Sequence, residues 1–536
     1  MAKTPLLRSL RQMVRDARAS RATGVPIDEL PELRAETKRA KLSRRGFLAG
    51  AAAGAAALAI PKVARAGGQS QTVTIVGGGI AGLTCARVLR DRGYASTVYE
   101  ASGRVGGRMF SNTTYFAAGQ VSEWGGELID TNHKAVRGLA ARFGLPLDDL
   151  HAAEPAGSTE TYKFGGSYYS KAQATADFLD MVDVVDDDLK DASYPTLYDA
   201  FTPHGAELDH TSAYDWIETR VPGGHGSAFG QLLDVAYNIE YGAETTDQSS
   251  LNLLYLLGYQ PHPSAFEVFG ESDEKFHIRG GNQRLPEAIA ASLGSAVVTG
   301  HKLVRLRQTP NGRYTCTFER GGSSIEVTSD YVVLALPFAV LSNVDTSGAG
   351  FDNLKKEAIA NLGRGHNGKL QLQFQSRGWL NPGPYGRSNG SSYSDTGYQA
   401  GWDSTRAQAG APGIMNLYSG GNVTDAMKTT SPFATHTDPK VIQDANRGLV
   451  QLGQVFPGLS WNGKVTQSIP HKSPLFGASY SYWRVGQYTR FSGYEGAPQG
   501  NIMFCGEHCS QDFQGFMEGG ATTGEAVAKA LVSKIR

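Results

Sequence analysis

An α/β fold with more than one domain is predicted, and three observations predict it. The first is local: Val73 to Val76 reads as a short β-branched strand, Gly77-x-Gly79-x-x-Gly82 as a tight turn, Leu83 to Arg92 as a helix with apolar spacing, and Thr97-Val98-Tyr99 as a second strand ending in Glu100. The second is compositional. Glycine supplies 66 of 536 residues, about 12% where ~7% is usual, an excess suited to tight turns and to close approach of backbone to a ligand. The third is length: 470 residues follow Ala66, more than one hydrophobic core usually serves, so two consecutive or intertwined domains are expected.

Each part of the first unit has a job. Gly77 permits the turn, Gly79 lets the backbone approach a pyrophosphate, and Gly82 allows the helix to pack closely on the strand, with the helix N-terminus facing the phosphates. Glu100 lies 18 residues beyond Gly82, where a carboxylate can accept hydrogen bonds from both ribose hydroxyls. Strand, turn, helix and acid in register predict a Rossmann-like dinucleotide-binding domain. Directly after Glu100 come Arg104, Gly106, Gly107 and Arg108, a turn that can aim two guanidiniums at phosphate or ribose while its glycines bring backbone to the ligand.

The stretch ahead of this unit is of another kind. Phe47 to Ile60 is an apolar run of 14 residues, mostly Ala and Gly, too short to span a bilayer, which takes about 20. Ser43-Arg44-Arg45-Gly46-Phe47-Leu48 before it looks like the bacterial twin-arginine signal, and Ala64-Arg65-Ala66 after it fits a small-x-small cleavage site. Residues 1–66 are therefore expected to be a twin-arginine signal peptide with a long basic n-region, and the protein to be exported in bacteria by that machinery to the periplasm or beyond. Such cargo crosses folded, often because a cofactor is inserted first. Lys and Arg number 51 and Asp and Glu 51 in the whole chain, and removal of fourteen basic and five acidic residues with the signal leaves 37 against 46, net −9. That balance argues against a nucleic-acid partner. Cysteines stand only at 85, 316, 505 and 509, with no CxxC pair, so neither a metal centre nor a redox dithiol is indicated. No apolar run beyond the signal is long enough for a membrane anchor.

The turn after Glu100 belongs to a series of motifs: "EASGRVGGRMFS" (Glu100 to Ser111), "EWGGELID" (Glu123 to Asp130), "GGNQRLPEAIA" (Gly280 to Ala290), "DYVVLALPFAVL" (Asp330 to Leu341), "NGKLQLQF" (Asn367 to Phe374), "GASYSYW" (Gly477 to Trp483) and "MFCGEHCSQDFQGFMEGGATTGEAVA" (Met503 to Ala528). In content and order they resemble the flavin amine oxidase family, of the monoamine oxidase and L-amino acid oxidase type. The resemblance implies FAD as cofactor and a GR2-type fold: a Rossmann-like FAD-binding domain from 70–135, 279–342 and 478–536, interleaved with a mixed α+β substrate-binding domain from 136–278 and 343–477. It places Val304 where a backbone meets the adenine, Gly125 and Gly126 in the second glycine motif, Gly506 and Glu507 at the pyrophosphate and ribityl chain, and Gly515, Phe516 and Met517 near the flavin ring.

The same resemblance implies hydride transfer from an amine-bearing carbon to flavin N5, the cofactor supplying the redox chemistry and the protein supplying placement and electrostatics. Lys369 stands where a lysine holds a water against N5. Tyr480 and Phe516 stand where two rings flank the substrate amine, Phe516 replacing the tyrosine of monoamine oxidases. Ser479 occupies the position of their flavin-linking cysteine, so FAD is expected to be noncovalent. Phe110 stands where animal-type L-amino acid oxidases place a carboxylate-binding arginine, which leaves Arg364, Arg377 and Arg484 as candidate anchors. "EYGAETTDQSSLNLLYLLGY" (Glu240 to Tyr259) and the C-terminal motif look closest to bacterial exported L-amino acid oxidases. The expected activity is oxidation of L-amino acids by oxygen to 2-oxo acid, ammonia and hydrogen peroxide. A primary-amine or polyamine oxidase is the alternative, and a flavin dehydrogenase or desaturase on the same scaffold a third reading. Whether the chain forms a homo-oligomer stays open.

Overall fold

The structure, a computed structural model, describes residues 71–535. The twin-arginine stretch and its cleavage site lie outside the described residues. The first layer is a five-stranded parallel sheet formed by β1 (Val73–Val76), β2 (Thr97–Tyr99), β3 (Val297–Val298), β4 (Tyr331–Leu334) and β5 (Ile502–Phe504), in the spatial order β5-β4-β1-β2-β3. Strands far apart in sequence thus lie side by side. β1, β4 and β5 are buried throughout, and their unbroken apolar runs suit a parallel sheet covered on both faces.

Helix α1 (Ile80–Asp91) starts one turn earlier than the apolar spacing suggests, with Gly79 as its N-cap. Gly82 therefore sits inside the helix, where a Cβ would come within 2.1 Å of the Gly77 carbonyl oxygen and 3.2 Å of the Ile75 side chain. Gly93, at φ 83°, ends it. The C-terminal helix α2 (Met517–Lys534) packs against α1 so closely that a Cβ on Gly524 would meet the Ala81 carbonyl oxygen at 2.2 Å. Ile75, Cys85, Leu89, Val98, Val333 and Leu531 join the sheet and both helices in one core.

The second layer is an eight-stranded mixed sheet. The strand Gly368–Phe374 is internal to it, between Trp461–Ser468 and Gly413–Ser419. Side chains alternate across a strand, and here Leu370, Leu372 and Phe374 pack in one core with Val441, Ala445 and Leu452 of the helix Pro439–Val455. Lys369, Gln371 and Gln373 take the opposite face, where the Gln371 amide donates to the Glu123 carbonyl at 3.1 Å and the Gln373 amide to the Ala117 carbonyl at 3.1 Å. The sheet thus turns a polar face, Lys369 included, toward the segment that follows the dinucleotide turn. Helices between 171 and 257 complete this half, with Ala228–Tyr241 ending close to the same face. No helix among the described residues is long and apolar enough to cross a membrane.

Candidate active site

A single cavity of about 870 Å³ runs from the end of β2 to the polar face of the second sheet. Every residue expected from the sequence to bind the cofactor or take part in catalysis lies on its wall, except Gly82, which sits behind it in the α1–β1 contact. The cavity narrows around backbone at its first end. Gly77 has φ 108°, and a Cβ there would lie 2.6 Å from the Ala335 carbonyl oxygen. Gly79 has nothing within 4 Å of the place its Cβ would take, so a side chain would fill the space in front of the helix N-terminus. Both residues read as a cradle shaped for a pyrophosphate.

The Glu100 carboxylate accepts from the Gly78 amide at 2.8 Å and from the Ser102 amide and hydroxyl at 2.8 Å each, tying the end of β2 to the glycine turn. Val304 lies where the pairing of Lys302–Gln308 with Tyr314–Arg320 shifts register between Leu303 and Arg305. A residue at such a bulge is released from that ladder, which frees its backbone toward the cavity.

The second arginine motif acts as a strut. Arg108 Nη1 donates to the Ser479 carbonyl at 3.0 Å and to Glu507 Oε1 at 2.9 Å. Glu507 also accepts from the Ser481 hydroxyl at 2.7 Å, the Ser481 amide at 3.2 Å and the Gly515 amide at 2.9 Å. Burial alone would raise its pKa, but the Arg108 charge and these donors hold it below the ordinary carboxylate range. With its oxygens so engaged, Glu507 fixes three separate segments around the cavity, and the Gly506 and Gly515 backbones remain beside the ligand space. Arg104 is bound to the Val105 and Gly107 carbonyls at 3.2 and 2.7 Å and lies 3.8 Å over the Phe110 ring. Gly125 and Gly126 are required by contact: a Cβ would come within 1.9 Å of the Arg108 carbonyl oxygen at the first and 3.0 Å of Met517 Sδ at the second.

At the far end the walls become side chains. Lys369 is 7% exposed, and its Nζ donates to the Gly125 carbonyl at 2.9 Å and to Glu127 Oε2 at 2.6 Å. Glu127 Oε1 accepts from the Trp402 indole at 2.9 Å. Burial would raise this carboxyl, yet the Lys369 charge and these hydrogen bonds keep it low. Tyr480 rests against Gly515, and its hydroxyl meets Tyr418 at 3.0 Å and donates to the Ile239 carbonyl at 3.0 Å. Phe516 starts the turn into α2 and meets the His133 ring edge-on at 5.2 Å. Ser479 donates to Asn367 Oδ1 at 2.5 Å.

The three arginines suggested as carboxylate anchors lie elsewhere, which corrects that expectation. Arg364 donates to Ser342 at 2.9 Å, Arg377 to the Gln408 carbonyl at 2.8 Å, and Arg484 pairs with Asp247 at 2.7 Å; none lines the cavity. Arg406 does line it, together with Glu127, Glu240, Glu274, Trp402 and Tyr418. Of these, Glu127 lies in "EWGGELID" and Glu240 opens "EYGAETTDQSSLNLLYLLGY"; the others carry no local signal. His366, Asp425 and His471, which share no motif, offer ligand atoms within 4.8 Å of one another, and the 2.9 Å His366–Asp425 hydrogen bond accounts for part of that approach.

Comparison with known proteins agrees with this geometry. Residues 80–532 match the model of the flavin containing amine oxidoreductase family. The L-amino acid dehydrogenase of Synechocystis sp. is 24% identical over 85% of this chain and 94% of its own length. A putative L-amino-acid oxidase of Bacillus subtilis is 24% identical over 85% of this chain and 93% of its own. Among solved structures, cyclohexylamine oxidase from Brevibacterium oxydans shares the fold, with a TM-score of 0.72 at 19% identity over 87% of this chain and 99% of that one. The glycine cradle, the carboxylate at the end of β2 and the bulge at Val304 fit an extended dinucleotide, and the chain belongs to the flavin containing amine oxidoreductases, with FAD as its cofactor.

Proposed function

We propose that the protein oxidises L-amino acids with oxygen, giving 2-oxo acid, ammonia and hydrogen peroxide, after export by the twin-arginine route. The observation that carries the choice of substrate is Arg406. Its Nη1 pairs with Glu154 at 2.7 Å and its Nε donates to the Asp403 carbonyl at 3.3 Å, while Nη2 has no hydrogen-bond partner among the described residues on the wall of the cavity. A guanidinium held on one side and open on the other is suited to a carboxylate. The names of the Synechocystis and Bacillus subtilis relatives support L-amino acids as the substrate class.

Bound FAD supplies a two-electron acceptor. The chain contributes placement. The Tyr480 ring, fixed by its bonds to Tyr418 and Ile239, presents a face to an amine, as an aromatic ring does to a cation. Lys369 engages two acceptors and keeps a third N–H, enough to hold a water in the cavity without adding net charge, because Glu127 balances it. Trp402, Tyr418 and Phe516 add aromatic walls to the same cavity.

Peroxide release in air, measured with L-amino acids, their D-enantiomers and the matching decarboxylated amines, tests this reading. Activity confined to the L-amino acids is expected. Arg406→Gln should then lose about tenfold or more in kcat/KM on them, as removal of a charged hydrogen bond to substrate does; no loss sinks the anchor. A second reading, an oxidase of amines without a carboxylate, is supported by Phe110, whose ring occupies the Arg104 guanidinium's face and brings no charge of its own. Activity on the amines alone selects it.

A further inference from the structure

The substrate half of the cavity holds more carboxyl groups than cations. Glu160 accepts from Lys171 at 2.9 Å, and the same ammonium pairs with Glu267 at 2.8 Å. Arg406 shares its charge with Glu154 through Nη1. Glu240, in the last turn of the helix Ala228–Tyr241, and Glu274 both line the cavity, and the carboxylate of neither has a hydrogen bond or ion pair among the described residues. Uncompensated carboxylates withdrawn from water are costly. Burial pushes Glu240 up to about 7 and Glu274 well above the carboxylate range, the charges of Asp130 and Glu240 adding to the rise of Glu274 and that of Arg406 offsetting only part of it. A third group points to a ligand independently. Tyr393 is only 7% exposed, lines the same cavity, and its hydroxyl has no hydrogen-bond partner among the described residues.

We propose that Glu240, Glu274 and the Tyr393 hydroxyl form a subsite for a second cationic group, so that the substrate carries a positive charge remote from the amine being oxidised. The chemistry is that of a primary ammonium or guanidinium: a bound cation draws the two carboxyl groups toward their charged form, and the hydroxyl supplies a neutral acceptor. Glu240 lies next to Ile239, whose carbonyl holds Tyr480, so the subsite begins beside the ring expected to flank the reacting amine. This rests on the oxidation of amine-bearing carbons proposed above, and it narrows that reading to dibasic substrates. The cation could be the side chain of a basic L-amino acid or the far end of a diamine.

The test uses the FAD-loaded enzyme and anaerobic flavin reduction followed by absorbance, with matched pairs: L-lysine against L-norleucine, and 1,4-diaminobutane against butylamine. The dicationic member of the productive pair is expected to reduce the flavin at least about tenfold faster per unit concentration, in line with a buried charge pair. In Glu240→Gln/Glu274→Gln that ratio should fall toward one, and Tyr393→Phe should lower it less. The pair that shows the ratio identifies the source of the cation. A ratio near one in the unaltered enzyme, or one that survives the double substitution, overturns the subsite. If no amine reduces the flavin, the oxidase reading fails on its own; equilibrium dialysis with radiolabelled L-lysine and 1,4-diaminobutane then decides the subsite, which binding lost in the double variant supports and absence of binding overturns.

Discussion

The two ends of the cavity are built by opposite means. The end beside β1 is made of backbone: Gly79 leaves space because it has no side chain, Gly77 and Gly125 let neighbouring backbone close in, and each belongs to a short motif. The end beside the second sheet is made of side chains drawn from distant segments, Glu240, Glu274, Lys369, Trp402, Arg406 and Tyr480 among them. Backbone contacts serve a constant ligand, since a dinucleotide offers the same phosphates to every member of the family. Side chains can be exchanged without disturbing the sheet, so selectivity can be set there. Changes at the first end should therefore cost cofactor and fold together, and changes at the second should alter rate or selectivity.

The largest effect is expected from Gly77→Ala. Its positive φ alone strains a non-glycine residue by about 1–3 kcal/mol, and the new methyl group would also press on the Ala335 carbonyl at 2.6 Å. Flavin content, read as the ratio of visible to ultraviolet absorbance, should fall below a tenth of the original; near-normal content would show that the turn relaxes and that the backbone end is less constrained than its contacts imply.

Next comes the bridge between the ends. Lys369→Met leaves the buried Glu127 without its cation, and breaking a buried pair in this way costs about 3–5 kcal/mol. The melting temperature should drop and flavin reduction should slow by about a hundredfold, while Lys369→Met/Glu127→Gln should recover stability but not rate. Recovery of both would reduce the lysine to a structural role.

A pH effect separates the strut from the substrate walls. Glu507 and Glu127 are held below their ordinary range in the folded protein. A carboxylate with a depressed folded pKa adds stability that is fully present above the unfolded value, about 4.3, and is lost as pH falls through the folded value. Glu507→Gln should thus flatten the acid limb of the melting-temperature profile below about pH 4.3. An unchanged slope there would mean that the Arg108–Glu507 pair is not coupled to unfolding.

The smallest effect is expected at Arg484, which pairs with Asp247 away from the cavity and is half exposed. Arg484→Ala should alter stability by no more than about 1 kcal/mol and leave KM within roughly twofold. Precipitation in hot acid supplies one further check. With Ser479 in place of a thiol, all flavin should appear in the supernatant.

The sequence by itself determined the cofactor end. The glycine turn, Glu100 and the arginine turn are contiguous, because backbone geometry around a phosphate is set by neighbours within a few residues. Lys369 came from the family resemblance of "NGKLQLQF", and the alternation of its strand sets it on the face opposite Leu370. Even there the helix start was misplaced by a turn, because Gly82 is tolerated inside α1 only where the Gly77 carbonyl and Ile75 come too close for a side chain.

Tertiary structure alone decided the rest. It took Arg364, Arg377 and Arg484 away from the cavity and brought Arg406 to it, though nothing in the spacing distinguished the four. It paired Lys369 with Glu127 across 242 positions and left the Glu240 and Glu274 carboxyls on one wall without a hydrogen bond or ion pair among the described residues. Charge compensation depends on which side chains meet in space after the sheets are assembled, and long-range pairing leaves no period in the sequence from which to read it.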